Sequence, residues 1–160
     1  MNFEESKLEQ LTSDIWNSTV GSTATRTAAF LPSATRESNV TTCVQVMGSW
    51  IGAVIVECQP ELARQLASDL HGVPCSKVSF AQIRDVLGEV TNILAGQIKT
   101  MISGESHLSL PIVVTGFDYH LMIPGSKPVN RLAFESGENM FQLSLAELDE
   151  AVYGTAFAGG

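Results

Sequence analysis

Asp85, Glu89 and Asn92 are the residues of this chain whose types and spacing could do chemistry together. A carboxylate only accepts hydrogen bonds and pairs with cations, whereas a carboxamide donates and accepts at once. Steps of four and three residues bring all three onto one side of a helix, stacked turn by turn. Gly96 and Lys99 fall on that same side. The opposite side carries Ile83, Val86, Leu87, Val90, Ile93, Leu94, Ile98 and Met101, the stripe of a helix that packs on a core. The polar side has two readings: the solvated face of an amphipathic helix, or a surface that meets a partner. Asn is a weak helix former whose short side chain competes for backbone bonds, so a merely solvated face has better choices in Lys, Glu or Gln. Gly88 and Gly96 each cost about 1 kcal/mol against Ala inside a helix. At Gly96, on the polar side, a partner's backbone could come close.

Other chemistries find little support. Cys43, Cys58 and Cys75 are far apart, and His71, His107 and His120 are isolated, so neither a zinc site nor any other metal site is expected. Cys43 and Cys58 stand in apolar runs and read as small buried hydrophobes. A net charge of −8 with nine scattered Lys and Arg excludes a basic stripe, so nucleic acid is not an expected partner. No run of 18 apolar residues and no basic-then-apolar leader occurs, so neither a membrane span nor membrane association is expected, and a reducing cytoplasm fits. Asp14 and Asn17 echo the spacing of Glu89 and Asn92, with Gln10 where the first carboxylate would stand, but their surroundings differ.

The elements that must position these residues follow from periodicity and punctuation. A first helix is expected over about Glu5 to Val20, with a capping box from Ser6 and Glu9 and a stripe of Leu8, Leu11, Ile15 and Trp16. Ser22 to Ala29 reads as a weak or edge strand, and Leu31 to Asn39 as a loop around Pro32. Val40–Met47 and Trp50–Cys58 form a hairpin about Gly48-Ser49. A second helix, Pro60 to Leu70, buries Leu62, Leu66 and Leu70. The central helix runs from Ser79 to Ser103. Gly104 to Ser109 is a polar loop and Leu110 to Ile123 is strand-like, with a bend at Gly116. Val129–Glu135 and Met140–Leu145 form a second hairpin around Ser136 to Asn139, and a tail from Ala146 starts as a short helix and ends frayed. A helix followed by about three strands thus occurs twice. The expected class is α+β: helices on one face of a mostly antiparallel sheet, within a single domain of 160 residues.

Asp85-x-x-x-Glu89-x-x-Asn92, continuing as Ile93-Leu94-Ala95-Gly96 and followed by Pro111 at the head of an apolar strand, resembles the CheC/CheX/FliY chemotaxis phosphatases. The single copy of the motif and the chain length are those of the CheX branch, and the resemblance is sharpest from Asp85 to Gly116. The family resemblance implies the same α+β architecture, a homodimer joined through sheet edges, with Ser22–Ala29 a candidate edge, and hydrolysis of the phospho-aspartate of a CheY-like response regulator. It implies that Asn92 orients the attacking water and that Glu89 pairs with the regulator's lysine. Asp85, Gly96 and Lys99 would contact the partner. The regulator would bring its own Mg²⁺, leaving no cofactor to this chain. An acyl phosphate is already activated, so the absence of a Ser-His-Asp or Cys-His arrangement fits. The alternatives are a non-catalytic regulator-binding or dimerisation module, and an assembly domain of the flagellar-switch kind.

Overall fold

A computed structural model describes residues 1–31, 39–115 and 123–153. Helix α1 (Glu5–Val20) leads into a three-residue strand β1 (Thr25–Thr27) and the hairpin β2 (Val40–Gly48) and β3 (Gly52–Cys58). Helix α2 (Pro60–His71), a 3-10 turn at Cys75–Lys77 and helix α3 (Phe80–Thr100) follow. Two short strands, β4 (Ser106–Leu108) and β5 (Ile112–Val114), precede a long hairpin of β6 (Ser126–Ser136) and β7 (Asn139–Leu148) and a four-residue helix α4 (Glu150–Tyr153).

All strand pairings are antiparallel, in the order β1-β6-β7-β3-β2, with β4 and β5 both on the outer side of β2. Alternation decides which face is covered. Val40, Thr42, Val44 and Val46 of β2 and Val54, Val56 and Cys58 of β3 are buried, and the apolar members of both sets belong to one core with the stripes of α1, α2 and α3. α3 lies against β2, β3, β4 and β5, and α1 against β6. Trp16 fastens α1 to the sheet: its ring stacks on Phe141 at 3.7 Å, and its Nε1 donates to Ser136 Oγ at 3.0 Å. The expected class, helices on one face of an antiparallel sheet, is the one observed.

Several local expectations need correction. Glu4, not a Ser6/Glu9 box, stands at the N-cap of α1, and Ser6 Oγ bonds to Glu4 Oε1 instead. Leu70 does not join the α2 stripe; it is 61% exposed, because the helix runs past its partners before Gly72 ends it. Ile93 and Met101 are only partly buried, since they stand at the margins of the α3 stripe. The segment expected as a polar loop holds β4, whose backbone pairs with Val46–Gly48 regardless of side-chain polarity. The expected strand from Leu110 is ordered as strand only over Ile112–Val114, and Gly116 lies outside the described residues, as do most of the Pro32 loop and the TAFAGG end. β7 continues to Leu148, three residues beyond the expected end, because Ala146 and Leu148 still pair across the hairpin.

Candidate functional site

Helix α3 is capped at its start and tied to the sheet at its middle. Ser79 Oγ accepts from Gln82 N at 3.2 Å, and Gln82 Oε1 accepts from Ser79 N at 2.9 Å, a complete capping box. In the middle, Thr91 is fully buried, and its hydroxyl donates to Leu87 O at 2.8 Å and meets the hydroxyl of Thr42 on β2 in a short hydrogen bond. This contact ties α3 to β2 through two buried hydroxyls, each of which also reaches a backbone carbonyl, Leu87 O for Thr91 and Val56 O for Thr42. Nothing in periodicity singles out Thr91 except that a polar residue interrupts an apolar stripe.

With Val90 and Thr91 buried, the opposite side of α3 faces outward. Glu89 is exposed and Asn92, one turn on, is half-buried; neighbours at this spacing have Cβ atoms about 5–6 Å apart. Neither side chain has a hydrogen-bond or ion-pair partner among the described residues. Asp85 is exposed one turn before Glu89 and lies 3.9 Å from Arg84 Nε, a loose surface contact. Gly96 and Lys99 continue the ridge and are half-buried. The fold therefore brings all five predicted positions onto one ridge of α3.

The ridge has two flanks. On one, Gly88 is buried against the segment before β5: a Cβ there would lie 3.4 Å from Pro111 Cγ and 3.7 Å from Pro111 Cβ. The glycine thus lets Pro111 settle against α3, one turn before Asn92. This gives the two sequence signals, an interior helix glycine and a distant proline, a single physical cause. At Gly96 an added Cβ would meet nothing within 4 Å, so no contact within the chain calls for glycine there. On the other flank, Glu89 stands at the rim of a groove of about 300 Å³ where α1, α2 and α3 converge, lined by Val20, Leu66, Leu70 and Val86 among others.

The remaining candidates form no site. Among the described residues no cluster of three His, Cys, Asp or Glu could hold a metal, and no helix is long and apolar enough to cross a membrane. Burial pushes the Cys43 thiol up to about 11 and raises that of Cys58 further, with help from Glu61, so both remain protonated and inert. Cys75 is exposed. Asp14 of the echoed spacing on α1 accepts a hydrogen bond from Gln10 Nε2 at 2.8 Å, and with Asn17 borders a shallow polar hollow.

A carboxylate and a carboxamide on such a ridge can meet a partner's cation and orient a water. Comparison with known proteins gives the family of the chain. The model of the family described as chemotaxis phosphatase CheX matches residues 40–135, a span that includes Asp85, Glu89, Asn92 and Pro111. The fold is similar to a CheX chemotaxis protein of Desulfovibrio desulfuricans (TM-score 0.68, 16% identity, 88% of this chain and 95% of that one). It is likewise similar to the CheX–CheY–BeF₃–Mg²⁺ complex structure of Borrelia burgdorferi (TM-score 0.70, 17% identity, 93% and 100%). The middle domain of FliM from H. pylori shares the fold at a TM-score of 0.56, with 13% identity over 90% of this chain and 87% of that one. No curated protein matches. With more than half of its length matched by the family model, the chain belongs to the CheX family of chemotaxis phosphatases.

Proposed function

We propose that this chain hydrolyses the aspartyl phosphate of a CheY-like response regulator. The observation that carries the reading is that Glu89 and Asn92 stand side by side, with no partner among the described residues, on the outward face of a capped helix in a CheX-family chain. In the reaction, water attacks phosphorus in line with the bond to the aspartyl oxygen. That bond breaks, the regulator's carboxylate leaves, and the proton of the water ends on the released phosphate or solvent. Asn92 accepts from and donates to the attacking water and sets its line of approach. Glu89 pairs with the lysine beside the phosphoryl group and fixes the register of docking. The divalent cation comes with the regulator; in the Borrelia complex Mg²⁺ accompanies CheX, CheY and BeF₃. Asp85, Gly96 and Lys99 meet the regulator along the same ridge, and the encounter takes place in the cytoplasm. The gain comes from positioning, on the order of 10²-fold or about 3 kcal/mol. A homodimer through the β1 edge completes the proposal, since β1 pairs with β6 and its other side is open for pairing among the described strands.

The test is phosphate release from a purified, phosphorylated CheY-like regulator with Mg²⁺, with the chain at a fraction of the regulator's concentration. Many turnovers per chain are expected. A phosphoryl lifetime that is unchanged or prolonged at saturating chain would replace this reading with the binding-module one.

A further inference from the structure

The groove beside Glu89 has an unusual origin. Leu62 and Leu66 of α2 are buried at 4% each, and Leu70 continues their stripe one turn later at 61% exposure. The sequence pattern asks for a partner that no described residue supplies. Val20 at the end of α1 and Val86 on α3 complete an apolar trough beneath Leu70. Its charged lining residues are Asp69 and Glu89, both acidic. Asp69 is already held by Gln65 Nε2 at 2.8 Å, while Glu89 has no partner among the described residues.

We propose that this groove is the anchor site for the regulator: it takes one large aliphatic or aromatic side chain of the receiver surface, flanked there by a lysine or arginine that Asp69 receives, while Glu89 at the edge of the same groove keeps the lysine beside the phosphoryl group. The chemistry follows from the lining. Apolar walls with an acidic rim favour an apolar tip next to a cation, and they reject an acidic neighbour by like charge. The location follows from Glu89, which belongs at once to the groove and to the ridge. A side chain seated in the groove therefore holds the regulator with its phosphoryl group over Asn92. Interfaces commonly concentrate their binding in one buried anchor surrounded by weaker contacts. The inference rests on the phosphatase reading for the identity of the partner, and it adds a specificity element outside the catalytic pair.

The experiment uses Leu70→Lys, Leu70→Met and Asp69→Asn, with Asn92→Ala as control. Leu70 is exposed and a lysine suits the last turn of a helix, so Leu70→Lys keeps the fold, which a melting curve verifies. Two readouts are taken: KM and kcat for the phosphorylated regulator, and Kd for the regulator loaded with beryllofluoride and Mg²⁺. Leu70→Lys is expected to raise KM and Kd at least tenfold with kcat within twofold. Leu70→Met should restore both, and Asp69→Asn should raise Kd a few-fold. Unchanged KM and Kd in Leu70→Lys, with turnover still lost in Asn92→Ala, would overturn the groove and leave the phosphatase reading standing. If the wild type binds without turnover and Leu70→Lys abolishes that binding, the phosphatase reading falls and the groove survives as a docking site. A Leu70→Lys effect on self-association in sedimentation, with Kd unchanged, would make the groove a contact between copies and overturn it.

Discussion

Asn92 and Glu89 have different tasks in the proposed reaction, and their substitution should separate them. Only interactions made in the transition state change the chemical step, so Asn92→Ala is expected to lower kcat about 10²-fold while leaving regulator affinity nearly intact. Glu89→Ala should weaken docking as well, because the regulator's lysine then loses its partner. Neither side chain supports the core, and Ala is the better helix former, so Asn92→Ala should hold or raise stability by about 0.5 kcal/mol. Steady-state kinetics and a melting curve on each variant check both halves; wild-type kcat in a folded Asn92→Ala protein would remove the water-positioning role. The two helix glycines make a second contrast. Gly96→Ala faces open space and should stabilise by about 1 kcal/mol. If a regulator's backbone comes close at Gly96, the same change weakens Kd, and an unaltered Kd would show that no such approach occurs. At Gly88 a methyl group would make ordinary contact with Pro111, but a leucine would force Pro111 off the helix.

The helices are the most legible elements of this chain, and the reason is physical. The stripes of α1, α2 and α3 repeat over enough turns that burial and periodicity largely agree, while the capping box of Ser79 and Gln82 is a finding of the structure. Where the pattern is short, backbone and tertiary context decide. β4 is three residues with a polar sequence, and its place comes from the free edge of β2. Leu70 fits the stripe but projects past the packed turns, and Ser6 loses its cap role to Glu4. The ridge itself is readable from spacing, because opposed faces follow from helix geometry alone. The contact between Gly88 and Pro111 and that between Thr91 and Thr42 are not, since each joins residues far apart in sequence. The cap carries its own prediction. Ser79→Ala removes the acceptor for Gln82 N and should cost about 1 kcal/mol in denaturant unfolding. Because Asp85 and Glu89 lie within three turns of that end, fraying should lower turnover more than Ser79→Asp, which keeps an acceptor; equal loss of stability in both would show that the cap is not what the serine provides.

At the scale of the whole molecule, the sheet is a platform and charge is the long-range signal. Core and helices occupy one face, and the ridge lies on the outer surface of α3, so a partner can approach it without unfolding or rearranging the chain. The net charge is −8, and Asp69, Asp85 and Glu89 concentrate negative charge where the regulator would dock, against Arg84 and Lys99 close by. A field of that sign would favour a regulator face that is net positive around its lysine and disfavour an acidic one. Exposed charges are screened over roughly 10 Å at 0.1 M salt and about 3 Å at 1 M, so the guidance should fade with salt. Raising ionic strength from about 0.05 M to about 0.5 M is therefore expected to lower kcat/KM severalfold, through KM and the association rate. kcat should stay within twofold, because the proposed attack of the water oriented by Asn92 would take place inside an already formed complex. Glu89→Gln should flatten the salt dependence by removing one charge of the contact. The check is stopped-flow association and steady-state turnover across the salt series. A kcat/KM that rises with salt would mean that like-charge repulsion between the two proteins outweighs the local pairing, and that docking depends on the apolar groove rather than on the acidic ridge.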